Sequence, residues 1–217
     1  MKKFLIASAL AAVLLPAQVK AQTDIVFYSF NDTSSTAAVM TATVGSSISS
    51  FSVFNPSNTP LTILSSVGGN PNNHGFSAGN SVSQNTWDGT AYFQFTLDST
   101  GYKNIILSWA GNTSSTGPTN VLLRYSSTGV GGPFTDFATF ASLKNTATTQ
   151  DLTSVTALNN NPNDVFRIVG INSGNPLAGT MKIDNFNIDA VLVPEPSTLL
   201  LVGAGLLGLL AVRRRRT

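Results

Sequence analysis

The stretch Ala91-Tyr92-Phe93-Gln94-Phe95-Thr96-Leu97-Asp98 decides the fold. Its odd-numbered positions are all apolar, whereas its even-numbered positions carry tyrosine, glutamine, threonine and aspartate. Side chains of a strand alternate between two faces, so this pattern predicts a β-strand with one face on a hydrophobic core. Thr100-Gly101 then supplies a turn, and the apolar positions of residues 105–109 continue the core face on the next strand.

The same alternation recurs along the body of the chain, where helical periodicity is hard to find. Strands are predicted at residues 25–30, 48–54, 61–67, 91–98, 105–109, 121–126, 164–171 and 181–191. Residues 70–85 are almost all Gly, Asn, Ser and Pro, and are interpreted as a long surface loop that holds the lone histidine, His74. Eight to ten short strands with regular turns predict an all-β fold, an antiparallel β-sandwich of jelly-roll-like topology.

The last predicted strand contains a change of parity. Met181 and Ile183 share one parity, while Phe186 and Ile188 share the other. A strand that faces one core keeps its parity, so the change at Asp184-Asn185 indicates either a β-bulge or burial on both faces. The bulge is preferred, because Asp and Asn tolerate unusual backbone angles.

Residues 1–21 have the pattern of a secretory signal helix. Two lysines precede an apolar run at residues 4–15, and Val19 and Ala21 suit the positions before a cleavage site. Cleavage is expected after Ala21. The alternative is an uncleaved N-terminal anchor, for which the apolar run is short.

Removal of both termini reverses the charge of the chain. The whole sequence carries a formal net charge of +2, but residues 22–192 contain five basic and nine acidic side chains, a net charge of −4. The basic character therefore comes from the termini, and the body gives no support for nucleic-acid binding. The chain has no cysteine, which excludes disulfides, thiolate metal sites and a cysteine nucleophile.

The C-terminal segment, residues 193–217, has three consecutive parts. Val193-Pro194-Glu195-Pro196 cannot continue a helix or a central strand, because two prolines flank the glutamate. An apolar, glycine-containing run follows at residues 199–212, with the length of a short transmembrane helix. Arg213, Arg214, Arg215 and Arg216 end it, and the positive-inside rule leaves them in the cytoplasm and the body outside.

In this order, and at this position, the three parts resemble the PEP-CTERM sorting domain. The resemblance implies an exported protein of a Gram-negative bacterium, held transiently in the inner membrane and processed near Pro194-Glu195-Pro196 by an exosortase-like membrane protease. It also implies a link to exopolysaccharide and biofilm. The alternative is an ordinary single-pass anchor. The body, residues 22–192, more weakly resembles the Ser/Thr/Asn-rich ectodomains often attached to such tails, through Trp87, residues 92–96 and residues 183–186.

No catalytic constellation is recognisable in the sequence. A serine triad needs a histidine base, and the lone histidine, His74, lies in the predicted Asn/Gly-rich loop. A glycosidase needs two carboxylates across a cleft, but the body has no glutamate. Turn chemistry accounts for most of the aspartates, such as Asp88, Asp98 and Asp136. An enzyme acting on glycans is therefore the disfavoured alternative, and no cofactor is expected.

Carbohydrate binding is the better-supported alternative to a purely structural or adhesive surface protein. Tyr92, Tyr102 and Trp87 are the candidate glycan contacts, and Tyr92 lies on the polar parity of its strand. Trp109 and Tyr125 align with apolar positions and are assigned to the core. For Trp87, a place over the edge of the core is the preferred interpretation.

A structural calcium is a further candidate. Asp24 or Asp32 near the first strand and Asp184 near the last could supply carboxylate ligands if the terminal strands pair.

Overall fold

The computed structural model describes residues 21–31, 41–54, 62–64, 80–141, 144–173 and 179–193. The predicted signal helix, His74, Asp32 and the tail beyond Val193 lie outside these ranges. Eleven strands are described. They are β1 Thr23–Tyr28, β2 Ser49–Phe54, β3 Thr62–Leu64, β4 Ser81–Asn85, β5 Tyr92–Leu97, β6 Tyr102–Thr113, β7 Pro118–Ser126, β8 Thr135–Ala141, β9 Lys144–Asp151, β10 Asp164–Ser173 and β11 Thr180–Leu192.

The strands form two antiparallel sheets that pack face to face. Sheet A has the order β3-β4-β11-β6-β9, with β1 also paired to β11, and sheet B has the order β2-β5-β10-β7-β8. Phe95 of sheet B stacks on Phe186 of sheet A, and Tyr28 of sheet A contacts the edge of the same Phe95 ring at 5.5 Å. The predicted antiparallel sandwich is therefore confirmed, and the chain changes sheet at eight of the ten connections between described strands.

The alternation that predicted β5 is confirmed by burial. Phe93, Phe95 and Leu97 are buried, and the residues between them are half-buried. Trp109 is fully buried in the same core, as its alignment predicted, and Tyr125 packs partly buried against it. Burial of such large rings supplies the main driving force for folding, at about 25 cal/mol per Å² of apolar surface.

The predicted bulge in β11 is also confirmed. Asp184 pairs with Ala110 while Asn187 pairs with Ser108, so β11 uses one more residue than β6 over this interval. Asn185 sits at the irregularity with a φ of 49°, in the left-handed region that asparagine tolerates better than most residues. The bulge lets the residues on both sides of it point into one core.

Three described strands were not predicted from the sequence. One is β8, which contains Phe137 and Phe140 and forms the edge of sheet B. The other two are β4 and β9. The predicted loop at residues 70–85 ends in a strand, β4, in which Ser81–Gln84 are buried between neighbours β3 and β11. The Thr/Asn-rich stretch after Phe140, for which no strand was predicted, contains β9 at the edge of sheet A. Neither strand is rich in large apolar residues. Both form because backbone hydrogen bonds to long neighbouring strands, β11 and β6, are available.

Candidate functional site

The outward side of sheet B carries a cluster of aromatic, amide and charged side chains. The strand registers place Phe54 opposite Tyr92, Ser52 and Arg167 opposite Gln94, and Arg124 opposite Arg167. We name this surface the Arg167 face. It consists of Phe54, Tyr92, Gln94, Arg124, Phe134, Asp136 and Arg167.

Arg167 is held at the centre of the face by neutral groups. Its guanidinium lies 4.1 Å from the centre of the Tyr92 ring and 3.7 Å from the centre of the Phe134 ring. Its Nε donates to Gln94 Oε1 at 2.9 Å, and its Nη2 donates to the carbonyl of Val130 at 3.2 Å. The pKa of Arg167 lies below its ordinary value, mainly because burial disfavours the charged form.

Two further side chains extend the face. Phe54, which is 46% exposed, stacks on Tyr92 with ring centres 5.1 Å apart. Arg124 forms an ion pair through its Nε with Asp136 of β8. The face therefore offers an exposed ring, hydroxyl and amide groups, and two guanidiniums.

A second cluster closes the end of the sandwich near the β5–β6 turn. The carboxyl of Asp164 is fully buried and accepts hydrogen bonds from Ser99 Oγ at 2.7 Å and Asn161 Nδ2 at 2.8 Å. Burial raises the pKa of Asp164 to about 7 despite these donors. Because the side chain has no access to solvent, this carboxyl ties the chain around residue 161 to the turn and is not arranged to meet a substrate.

The predicted glycan contacts have different environments. Trp87 is only 1% exposed, and its Nε1 donates to the carbonyl of Gln84, so it packs in the core. Its candidacy as a glycan contact is therefore wrong, and its placement with the core is confirmed. Tyr102 is half-buried against the core opposite Leu192. Tyr92 belongs to the Arg167 face, as its parity predicted, but Phe54 and Arg167 both contact its ring.

Of the predicted calcium ligands, Asp24 and Asp184 are not brought together by the pairing of the terminal strands. β1 does pair with β11, but Asp24 lies opposite Asp189. Asp184 is five residues from Asp189 along β11, which corresponds to about 16 Å. Within the described ranges, no three histidine or acidic side chains form a group that could hold a metal ion.

The other aspartates mostly satisfy nearby turns, as their sequence context predicted. Asp88 accepts hydrogen bonds from the backbone N–H and hydroxyl of Thr90, and Asp98 accepts one from the N–H of Thr100. These hydrogen bonds lower the pKa of both carboxyls. Asp136 is the exception, since it pairs with Arg124.

Of the residues on the Arg167 face, only Tyr92 was a candidate from sequence. Two signals in the sequence could have indicated others. Phe54 is out of phase with Phe51 and Val53 on its strand, and Arg167 interrupts an apolar strand on the parity opposite Phe166. Phe54 and Arg167 are brought to one surface because β2 and β10 both pair with β5, although the two residues are more than a hundred positions apart in the sequence.

The sequence predicted a sorting segment directly after the last strand. The backbone N–H of Val193 donates to the carbonyl of Gly101 at 2.8 Å, so the sheet still holds the chain one residue before Pro194. In the part of the chain that the structure describes, no helix has the length and apolar character needed to cross a bilayer. The predicted helix at residues 199–212 lies outside that part.

A family profile described as the PEP-CTERM protein-sorting motif matches residues 192–216. The chain thus carries this motif, which marks it as an exported protein with a C-terminal sorting signal, and the resemblance identified from sequence is confirmed. No curated protein matches the chain.

Several solved structures have a similar arrangement of strands. One contains the CBM22-1 and GH10 modules of xylanase 10B from Clostridium thermocellum, with xylohexaose bound. It has 13% identity and a TM-score of 0.46, and the match covers 65% of this chain but only 26% of that one. The K2 cleaved adhesin domain of Lys-gingipain has 14% identity and a TM-score of 0.47, covering 80% and 99%. The C-terminal family 22 carbohydrate-binding module of the same xylanase has 9% identity and a TM-score of 0.41, covering 67% and 88%. At TM-scores below 0.5 these similarities carry no argument about function.

Proposed function

We propose that this chain is a non-enzymatic surface or extracellular-matrix protein, exported with a signal peptide and processed by an exosortase-like membrane protease. The sorting motif at residues 192–216 is the observation that carries the proposal. The secretory pattern of residues 1–21 puts the body on the same side of the inner membrane as the positive-inside rule does for the tail. The N-terminal and C-terminal segments therefore indicate the same topology, with the body outside the inner membrane. The jelly-roll-like body between them is the part displayed, in association with exopolysaccharide.

Fractionation with intact-mass analysis of the native protein tests this function. The mature protein should lack residues 1–21 and the arginine cluster at residues 213–216. A matched variant with Pro194 and Pro196 replaced by alanine should accumulate with its full tail in the membrane fraction. A cell-associated wild-type protein that retains the arginines would instead identify an ordinary anchor.

The Arg167 face favours carbohydrate binding as a second function. Sugars bind proteins through an aromatic ring placed beside polar hydrogen-bonding groups. Phe54 is exposed and stacks on Tyr92, whose ring also contacts the guanidinium of Arg167. The face is also made from regular strands, which hold such groups in a defined geometry. No pair of carboxylates faces across this surface, since Asp136 is its one acidic side chain among the described residues.

A glycan array with the full chain in detergent micelles tests this second function. Phe54→Ala and Tyr92→Ala should each reduce binding, because the first removes the exposed ring and the second removes its support. Val44→Ala, which truncates an exposed apolar side chain outside the Arg167 face, is the matched control and should bind as wild type. Equal binding by all four proteins would exclude the face as the glycan site.

A further inference from the structure

Arg167 is a positive charge without an acidic partner in the described part of the chain. The groups that hold it are two rings, an amide oxygen and a backbone carbonyl, and all of them are neutral. These contacts use Nε and one hydrogen of Nη2, and leave both hydrogens of Nη1 without an acceptor among the described residues. A half-buried guanidinium held in one orientation is a preformed donor for a carboxylate, which it can bind through two parallel hydrogen bonds.

A second guanidinium lies beside the first. Arg124 is directly opposite Arg167 in the pairing of β7 with β10. Like charges at opposite positions of a sheet repel, and Asp136 neutralises just one of the two. An anion placed between the two arginines would remove the remaining repulsion between their charges.

The charge of this face is opposite to that of the body. Residues 22–192 carry a net charge of −4 with five basic side chains, and two of those five meet here. The three charged groups of the face, Arg124, Arg167 and Asp136, give it a net charge of +1. A ligand that prefers this surface to the rest of the molecule should therefore be anionic.

We propose that the Arg167 face binds an acidic polysaccharide and that Arg124 and Arg167 recognise the carboxylates of its uronate residues. This inference rests on the second proposed function, carbohydrate binding, and adds the chemical class of the ligand. The exposed Phe54 ring of β2 contacts the apolar face of one sugar, and the guanidiniums lie on β10 and β7, the second and third strands from β2, where they reach further along the polymer. Nucleic acid is disfavoured as the ligand, because its affinity depends on neutralising many phosphates and the face supplies one net charge.

Binding of the full chain, in detergent micelles, to three probes tests the proposal: alginate as polyuronate, dextran as neutral glucan and a DNA duplex as a phosphate polymer. Alginate should bind, and more weakly as sodium chloride rises from 50 to 500 mM, because salt screens exposed charges. Dextran and DNA should bind much less. Equal binding of alginate and dextran would overturn the charge assignment but leave carbohydrate binding intact. If neither alginate nor dextran binds, both the charge assignment and carbohydrate binding are overturned. If DNA binds as tightly as alginate, the recognition of carboxylates is overturned.

Four variants locate the site on this face. Arg124→Gln should weaken alginate binding about tenfold, the usual order for loss of a charge-assisted hydrogen bond. Asp136→Asn should strengthen it, since it frees Arg124 from its partner. Arg167→Lys keeps the charge but loses the planar fork, and should weaken binding while thermal unfolding shows that the fold persists. Lys182→Gln removes one positive charge from sheet A and is the matched control. A loss in Lys182→Gln as large as that in Arg124→Gln would show that only net charge matters and would overturn the site.

Discussion

Replacement of Asp164 by asparagine should remove a pH dependence from the stability of the fold. The folded-state pKa of Asp164 is about 7, whereas the ordinary value is 3.8. Between these values the folded protein binds a proton that the unfolded chain releases. The stabilising contribution of this proton is therefore complete below about pH 4 and is lost as the pH rises towards 7.

The size of the effect follows from the pKa difference. Each pKa unit corresponds to about 1.4 kcal/mol, so a shift of this size amounts to about 4 kcal/mol at most. Asparagine has the same shape and no charge. Its carbonyl can accept from Asn161 Nδ2, and its amide can donate to Ser99 Oγ. Asp164→Asn should consequently match wild type near pH 4.5 and exceed it by a few kcal/mol near pH 7.5.

Urea unfolding of the full chain at intervals between pH 4.5 and 7.5 measures the difference directly. Asp88→Asn is the matched control, because Asp88 is exposed and hydrogen bonds to Thr90 lower its pKa, which places its titration below this range. Its profile should run parallel to that of wild type. Ser99→Ala removes a donor that favours the ionised form of Asp164, so it should move the transition to higher pH. Parallel profiles for wild type and Asp164→Asn would refute the reasoning.

Four further substitutions test the packing by the same urea titration. Gly170→Ala should destabilise the fold by about 1–3 kcal/mol, because a Cβ there would lie 2.5 Å from Pro118 Cγ and 2.6 Å from Trp87 Cε3. Trp87→Phe should cost about 1–3 kcal/mol through loss of the indole hydrogen bond to a β4 carbonyl, and an unchanged midpoint would show that this bond contributes nothing. Phe95→Ala should cost about 3–5 kcal/mol, whereas Phe54→Ala should cost about 1 kcal/mol or less, and equal losses would contradict the assignment of one ring to the core and the other to the surface.

The sequence predicted the elements in which local pattern and tertiary environment agree. The alternation in β5 matched its burial, and the parity change at Asp184-Asn185 matched the bulge. Strand β4 was missed because Ser81-Val82-Ser83 has one apolar residue, so its burial depends on β3 and β11 rather than on its own side chains. Strand β9 was missed for the same reason at the sheet edge.

The candidate site was less predictable than the fold. Parity alone placed Tyr92 on the outer face of β5. No local signal in the sequence shows that the guanidinium of Arg167 and the ring of Phe54 both contact the Tyr92 ring. Trp87 precedes a strand, and a position over the edge of the core was preferred for it to a surface position. The tight approach of Gly170 to its ring, which needs a residue without Cβ, favours the core. Such contacts depend on strand register between distant segments, which composition and periodicity do not encode.

The hydrogen bond from Val193 to Gly101 holds the chain to sheet A immediately before Pro194. Only a short linker therefore separates the sheet from the predicted apolar run of the tail. The five residues 194–198, between Val193 and the apolar run predicted at residues 199–212, span about 17 Å when fully extended, roughly three to four strand spacings. In the precursor proposed above, which is held by its tail, a linker this short would keep the β5–β6 turn close to the bilayer, and the proposed protease would have to act beside that turn. Fraying of the end of β11 would lengthen the linker, so the stability of that end would then affect how easily the protease reaches its site.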